Sequence, residues 1–221
     1  EWQIQKVFRK AKEVVPETDN MCYSGGVALN CVANSLVVEK QYPNMWILPN
    51  PGDAGSSLGC AAYIGGQHIN FDSAFLGYNI KGKYPVKPVL KELLKGNLVG
   101  VANGRAEFGP RALGNRSLLG DPRYDIKDTV NKIKRRQPFR PFAPAILEEY
   151  SKQYFYGPMN RYMQFVAKAN HDYKSVTHVD GTARVQVVEE DNPSVIRAIL
   201  EEWYDRTKCP MLLNTSLNIK D

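Results

Sequence analysis

Two short apolar segments early in the chain are each followed by a glycine-rich turn and then by a helical pattern. Residues 20–23 (NMCY) end at a Ser-Gly-Gly turn, and residues 45–48 (MWIL) end at a proline that leads to the turn GDAG. A stripe of apolar residues at helical spacing precedes the first segment, over residues 2–15. Because strands that alternate with helices pack as an α/β layer, residues 1–66 are predicted to form such a layer with a largely parallel sheet.

A change in composition separates this layer from the rest of the chain. Residues 77–88 (GYNIKGKYPVKP) contain two glycines, two prolines and three lysines with almost no periodic pattern, which is typical of a linker. We therefore predict a first domain over 1–76, a linker over 77–88 and a second α/β domain over 89–221. In the second domain, helices are predicted at 89–96, 126–134 and 194–206 and strands at 98–102, 161–169, 183–189 and 211–213, around a polar, glycine-dense stretch at 103–121.

The charge balance favours an anionic ligand. The chain has 29 Lys and Arg against 23 Asp and Glu, a formal net charge of +6, which fits a nucleotide, a phosphate ester or nucleic acid, but also an ordinary basic surface. No apolar run approaches the ~18 residues of a membrane helix, so no membrane partner is expected. The four cysteines form no zinc-type CxxC pair, and we expect reduced, mostly packed thiols in a cytoplasmic protein.

The glycine-rich turns are candidate anion sites. Gly25 and Gly26 precede a predicted helix over 27–40, and the first N–H groups and dipole of a helix attract negative charge. Many strand-to-helix turns, however, use glycine for geometry alone. Asp53, in the second turn, either caps a helix or ligates a metal, and capping is the default.

Arginines concentrate in an unusual context further along. Residues 104–123 contain four arginines and four glycines, and planar guanidinium groups suit bidentate binding of phosphate or carboxylate. Some of these arginines are expected to pair with Glu107 or Asp121, leaving one or two for a ligand. Arg140 lies in a proline-stiffened, partly apolar loop, where a charge is costly unless it meets an anion. His178 is expected to be a hydrogen-bonded group rather than a base.

Six segments together resemble the carbamoyltransferase family that includes the nodulation-factor, cephamycin and tobramycin O-carbamoyltransferases. They occur in family order from about residue 20 to residue 218, with glycines, prolines and arginines matched together. The segments are SGGVALNCVAN, PNPGDAGSSLGCAAY, GRAEFGPRALGNRSLLGDPR, NKIKRRQPFRPFAP, THVDGTARVQ and LLNTSLN.

The resemblance implies the C-terminal part of an O-carbamoyltransferase. Residues 1–76 would be the end of an actin/hexokinase-like (ASKHA) α/β domain that transfers the carbamoyl group. Residues 89–221 would be a YrdC-like α/β domain with a twisted mixed sheet, truncated at its C-terminus. That domain would combine carbamoyl phosphate with ATP to give carbamoyl adenylate, whose carbamoyl group passes to a hydroxyl of a small-molecule acceptor. Family members are usually more than twice as long as this chain, so we expect the chain to lack part of the transfer site.

The resemblance also implies roles for particular residues. Lys134 and Arg140 resemble the pair that holds carbamoyl phosphate, and Arg184 completes the catalytic set. The substrate and nucleotide contacts implied in the second domain are Arg111, Ser216 and Asn218, and those in the first are Gly25, Gly26 and Asn30. Asp53 resembles the acidic ligand of an iron site whose histidine ligands this chain does not contain. Gln137 stands where most family members carry Glu.

Two other functions stay open at this stage. The net charge of +6 and the run KIKRR at 132–136 are typical of a nucleic-acid-binding module, although the acidic stretch at 189–191 makes nucleic acid the less favoured partner. An anion-binding fragment without turnover is the third alternative. ATP is the expected co-substrate, with iron or another divalent metal, including Mg²⁺, in the full-length protein. A homodimer is left open.

Overall fold

A computed structural model describes residues 1–219, so the last two residues of the predicted second domain lie outside the described residues. The helices are α1 (Trp2–Val14), α2 (Cys31–Lys40), α3 (Ser56–Gly65), α4 (Val86–Leu94), α5 (Lys127–Ile133), α6 (Glu148–Tyr154) and α7 (Ile196–Thr207). The strands are β1 (Asn20–Tyr23), β2 (Asn44–Ile47), β3 (Asn79–Ile80), β4 (Val99–Ala102), β5 (Gly104–Arg105), β6 (Arg116–Gly120), β7 (Ala143–Leu147), β8 (Phe155–Tyr156), β9 (Ala167–Ala169), β10 (Thr182–Ala183), β11 (Gln186–Val188) and β12 (Met211–Ser216).

The first 66 residues follow the predicted alternation of helices and strands. Strands β1 and β2 pair in parallel, which confirms the predicted α/β layer. The helix predicted over 27–40 is interrupted, because a 3-10 turn over Gly26–Leu29 comes first. Asn30 then caps α2, since its side-chain Oδ1 accepts the N–H of Ala33 at 3.1 Å.

The second part of the chain is built on a mixed sheet with the strand order β11-β7-β12-β6-β4. The β11–β7 pair is parallel and the other three pairs are antiparallel, which confirms the predicted mixed α/β fold. The central strand β12 is buried on both faces, because Leu212 packs in one hydrophobic cluster with Trp203, whereas Met211 and Leu213 pack in the other. This alternation follows from the two-residue period of a strand.

Three elements of this sheet region were not predicted. Strand β6 lies inside the stretch that the sequence presents as polar and glycine-dense, and β7 and α6 follow the proline-rich loop after α5. The predicted strand at 161–169 is also shorter than expected, since only β9 forms there. Within the predicted linker 77–88, β3 pairs with β5, and α4 begins at Val86.

The residues before β9 connect the mixed sheet to the first part of the chain. The side-chain Nε2 of Gln164 donates to the carbonyl oxygens of Ile47 and Leu48 at 3.0 and 3.1 Å. The Ser35 hydroxyl donates to the carbonyl oxygen of Val166 and accepts its N–H, at 3.0 and 2.8 Å. These buried bonds fix α2 and β2 against the residues that precede β9.

The prediction of mostly packed thiols is wrong for Cys22 and Cys60, which are both exposed. Cys22 lies on β1 and Cys60 on α3, and no residue of α3 is buried by the described part of the chain. An apolar sequence therefore does not by itself bury a thiol when no further layer packs on it. Within residues 1–219, no helix has the length and apolar character needed to cross a membrane.

Gly114 allows the arginine-bearing loop before β6 to approach the start of α7. Its φ is +123°, and an added Cβ would lie 2.7 Å from Cβ of Ile196 and closer still to the Ser194 hydroxyl.

We expect Gly114→Ala to lower the free energy of unfolding by about 2 kcal/mol or more, from left-handed backbone strain and overpacking. Urea denaturation measures this loss. Gly59→Ala is the control. Gly59 lies in the middle of α3, and an added Cβ there would meet no atom within 4 Å outside its chain neighbours and the helix's own backbone, so the substitution should be neutral or slightly stabilising. Equal effects of the two substitutions would contradict the expectation.

Candidate anion-binding site

A small polar cavity of about 120 Å³ lies beside the end of β12. Four arginines line it, namely Arg111, Arg136, Arg140 and Arg184, and β12 contributes Asn214, Thr215 and Ser216. No Asp or Glu is among the lining residues in the described part of the chain. The cavity is well below the ~300–1,000 Å³ of sites for drug-sized ligands, so by itself it suits a small anion rather than a whole nucleotide.

Glu107 organises the loop that carries Arg111. Its Oε1 accepts backbone N–H groups from Leu113 and Asn115 at 2.7 and 2.9 Å, and from Arg116 at 3.3 Å. The predicted pairing of an arginine with an acid is confirmed for Asp121, which accepts from Nη2 of Arg123 at 2.7 Å. For Glu107 the structure shows backbone partners instead. The Glu107 carboxylate is thereby used to shape the loop.

Two buried amides hold the same loop against the sheet. The Nδ2 of Asn214 donates to the carbonyl oxygen of Ala112 at 3.0 Å and to Oε1 of Gln186 at 2.7 Å. The Nε2 of Gln186 donates in turn to the carbonyl oxygen of Leu113 at 2.7 Å. The backbone beside Arg111 is therefore tied to both β12 and β11.

Asn131, near the end of α5, organises the loop that carries the other two arginines. Its Nδ2 donates to the carbonyl oxygens of Pro138 and Arg140 at 3.0 and 3.1 Å, and its Oδ1 accepts Nε of Arg136 at 2.6 Å. The Arg136 guanidinium also lies over the ring of Phe142, 4.2 Å from its centroid. One buried asparagine thus fixes the direction of the loop from 136 to 140.

Burial and like-charge repulsion both destabilise the charged forms of the arginines in the cavity. Burial and, after it, the neighbouring charge of Arg184 lower the pKa of Arg111 to about 10. Burial and the charge of Arg140 likewise lower the pKa of Arg184, against a hydrogen bond to the Cys31 thiol that raises it. The Nε of Arg184 is buried without a hydrogen-bond partner among the described residues. An anion in the cavity would relieve both the repulsion and the desolvation.

Three of the predicted site residues meet beside the cavity. The Nζ of Lys134, a residue only 1% exposed, donates to the carbonyl oxygen and hydroxyl of Ser216 at 2.7 and 3.2 Å. It also donates to the carbonyl oxygen and Oδ1 of Asn218 at 3.0 and 2.5 Å. Ser216 lines the cavity, whereas the buried Lys134 and the exposed Asn218 are not among its lining residues.

The predicted residues of the first domain lie apart from this cavity. Gly25 and Gly26 border a larger apolar groove along α1, and the Gly25 N–H donates to the carbonyl oxygen of Pro51 at 2.7 Å. Asn30 uses its side chain to cap α2. Between the two regions, Nη2 of Arg111 donates to the carbonyl oxygen of Leu29 at 3.4 Å.

Asp53 is exposed and is the first residue of a 3-10 turn over Asp53–Gly55. The capping role predicted for it is wrong, because Gly52 occupies the cap position and no side chain caps the turn. Residues 1–219 contain no group of three His, Cys, Asp or Glu side chains that could hold a metal ion. The described residues by themselves therefore supply no complete metal site around Asp53, and a metal in the full-length protein stays a prediction.

The basic run at 132–136 does not form one exposed face. Lys132 and Arg135 are exposed, but Lys134 is buried behind the cavity and Arg136 is directed inward by Asn131. Sequence reasoning missed the roles of Arg136, Asn131 and Gln186. Arg136 had a signal in its closeness to the proline-rich loop, and Asn214 in the polar cluster 214–218 at the end of a predicted strand. Asn131 and Gln186 had none, because an amide in a strand or helix looks the same whether it is structural or exposed.

Comparison with known proteins places both parts of the chain in one family. The model of the carbamoyltransferase C-terminus matches residues 90–221, and that of the carbamoyltransferase N-terminus matches residues 2–62. An uncharacterized protein of Synechocystis is 34% identical over 91% of this chain and 42% of its own length. Nodulation protein NolO of Bradyrhizobium diazoefficiens is 32% identical over 90% of this chain and 43% of its own. Nodulation protein U of Azorhizobium caulinodans is 34% identical over 90% and 39%. The chain thus spans less than half the length of these relatives.

His178 is the titratable neighbour of Arg184, and its Nδ1 lies 3.1 Å from the Thr182 hydroxyl, in the hydrogen-bonding role predicted for it. Burial lowers the pKa of His178, and the charge of Arg184 lowers it further, whereas the charge of Asp180 raises it. The imidazole of His178 in the unfolded chain, with its ordinary pKa of about 6.5, is therefore protonated at a higher pH than the imidazole in the folded chain. The free energy of unfolding should fall as the pH decreases below about 6.5, because the unfolded chain binds more protons there. The slope should be at most about 1.4 kcal/mol per pH unit for one proton.

Urea denaturation at a series of pH values measures this slope. His178→Gln should make it shallower, with the remainder due to His171, whose pKa burial also lowers. A slope that the substitution leaves unchanged would show that His178 has the same pKa in the folded and the unfolded chain.

Proposed function

Because this chain belongs to the carbamoyltransferase family, we propose that its arginine cavity binds carbamoyl phosphate. The observation that carries this proposal is the convergence of four arginines on one cavity of about 120 Å³. Carbamoyl phosphate is a small dianionic acyl phosphate, and guanidinium groups bind phosphate oxygens in the bidentate geometry that a fixed cavity can select.

The proposed reaction joins this anion to ATP. Water cleaves the O–P bond of carbamoyl phosphate, which releases inorganic phosphate and leaves carbamate. A carbamate oxygen then attacks the α-phosphorus of ATP, the bond to pyrophosphate breaks, and carbamoyl adenylate forms. The arginines offset the repulsion between the two polyanions and stabilise negative charge that develops at phosphorus. Because the cavity is small, the nucleoside of ATP would lie outside it, with only its phosphates near the arginines.

The acceptor in this proposal is a hydroxyl group of a small molecule. Its oxygen attacks the carbamoyl carbon, AMP leaves, and the proton of the hydroxyl passes to a base. Since the chain spans less than half the length of its relatives, transfer belongs to the whole protein, and binding of carbamoyl phosphate is the step assigned to the described residues. We also propose a cytoplasmic location, where both co-substrates are made.

The inward direction of two cations supports a small ligand over nucleic acid. Lys134 and Arg136 belong to the basic run that would contact a phosphate backbone, but internal oxygens hold both side chains. An electrostatic interface with nucleic acid needs cations on the surface. Binding of oligonucleotides with a steep salt dependence would favour the alternative.

Arg140→Ala tests the proposed function. Loss of a charge-assisted contact in the cavity should cost about 2 kcal/mol or more, which weakens binding of carbamoyl phosphate roughly 30-fold. Calorimetric titration with and without ATP measures this loss, and circular dichroism checks the fold. Arg206→Ala removes an exposed arginine of α7 that does not line the cavity, and it should bind as the wild type does. Equal affinity of the Arg140→Ala variant would exclude this cavity as the carbamoyl phosphate site.

A further inference from the structure

One residue that lines the arginine cavity, Asn214, carries a hydrogen-bond acceptor with no partner among the described residues. Asn214 lines the cavity and is only 1% exposed. Its Oδ1 is buried and accepts no hydrogen bond from the described residues. A buried amide oxygen without a donor costs about 1–3 kcal/mol, so such an atom beside a ligand cavity points to a donor on the ligand.

The orientation of the Asn214 amide is fixed by its surroundings. Nδ2 donates to the Ala112 carbonyl oxygen and to Oε1 of Gln186, while Nε2 of Gln186 donates to the Leu113 carbonyl oxygen. Exchanging the nitrogen and oxygen of Asn214 would place its oxygen against two acceptors. Turning Gln186 as well would leave the Asn214 oxygen against the Ala112 carbonyl oxygen and would place the Gln186 oxygen against that of Leu113. Because the carbonyl oxygens of Ala112 and Leu113 each face an amide nitrogen, Oδ1 of Asn214 is the amide atom that has no hydrogen bond within this group.

Most of the polar groups around the cavity have the opposite character. The guanidinium groups of the four arginines are donors only, and the hydroxyls of Thr215 and Ser216 can donate. A phosphate group and a carbonyl oxygen are acceptors, so those groups match the donors. An anion that also carries an N–H donor would match the single orphaned acceptor.

We propose that Oδ1 of Asn214 accepts a hydrogen bond from the amino group of carbamoyl phosphate and so selects a carbamoyl over an acyl phosphate. This inference rests on the proposed function and adds to it the basis of substrate selection. Acetyl phosphate has the same phosphate and carbonyl group but a methyl group in place of the amino group. A site that hydrogen-bonds an N–H group discriminates strongly against an analogue that lacks it, because the buried partner is then left without a donor.

The ratio of two affinities tests the proposal. Carbamoyl phosphate, acetyl phosphate and inorganic phosphate are titrated calorimetrically into the wild-type chain, where carbamoyl phosphate should bind at least about tenfold more tightly than acetyl phosphate. In Asn214→Ala this ratio should fall to near one. Because both ligands use the same arginines, a general loss of cavity shape affects both and largely cancels in the ratio.

Asn34→Ala is the matched control. Asn34 is also 1% exposed, its Nδ2 also donates to two carbonyl oxygens, of Ala28 and Gln164, and its Oδ1 also has no partner among the described residues. It does not line the cavity, so its substitution should leave the ratio at the wild-type value. Asn214→Asp keeps an acceptor oxygen and should retain a preference for carbamoyl phosphate, with weaker binding of all three anions.

The outcomes separate this inference from the proposed function. Equal affinity of the wild type for carbamoyl and acetyl phosphate would overturn the role of Asn214 while leaving an anion site at the arginines. A preference that persists in Asn214→Ala would do the same, and the wild-type ratio decides even where a variant does not fold. No binding of any of the three anions would overturn the proposed function and this inference with it.

Discussion

Repulsion among buried guanidinium groups is the constraint that the second half of the structure satisfies. Burial lowers the pKa values of Arg111 and Arg184, since it removes the water that would screen their charges; the charge of Arg184 adds to the first shift and the charge of Arg140 to the second. Such a group of like charges is stable only where the surrounding fold prevents the side chains from turning away. The mixed sheet provides that rigidity through β12, which is paired on both edges and packed on both faces.

The groups that hold the arginine-bearing loops are mostly neutral, and this has a physical reason. Asn131, Gln186 and Asn214 bind backbone carbonyl groups and, in one case, an arginine Nε, without adding negative charge. A carboxylate in the same place would pair with a guanidinium and compete with an incoming anion. Glu107 is compatible with the site because its Oε1 accepts backbone N–H groups. The loops are thus ordered without an Asp or Glu among the described residues that line the cavity.

Much of the fold was predictable because periodic patterns extend over whole elements. The apolar stripe of α1, the glycine-terminated strand β1 and the proline-terminated strand β2 were predicted correctly. Strand β6 was missed because its flanking glycines and arginines resemble a loop, and its Leu118 and Leu119 acquire meaning only beside β12 and β4. Of the site residues named from the sequence, Arg111, Arg140, Arg184 and Ser216 line one cavity, whereas Gly25, Gly26, Asn30 and Asp53 lie elsewhere.

The sequence by itself determined the α/β class, the family resemblance and the residue types that can bind an anion, because these depend on local pattern and on the chemistry of single side chains. Only the tertiary structure decided which cations share a cavity and which are internal. Arg136 and Lys134 are two residues apart, yet one lines the cavity and the other lies buried behind it, hydrogen-bonded to Ser216 and Asn218. The free oxygen of Asn214 likewise depends on Gln186 and on Ala112, which are distant in sequence. Such contacts are set by strand pairing and packing over long separations, and no local pattern carries that information.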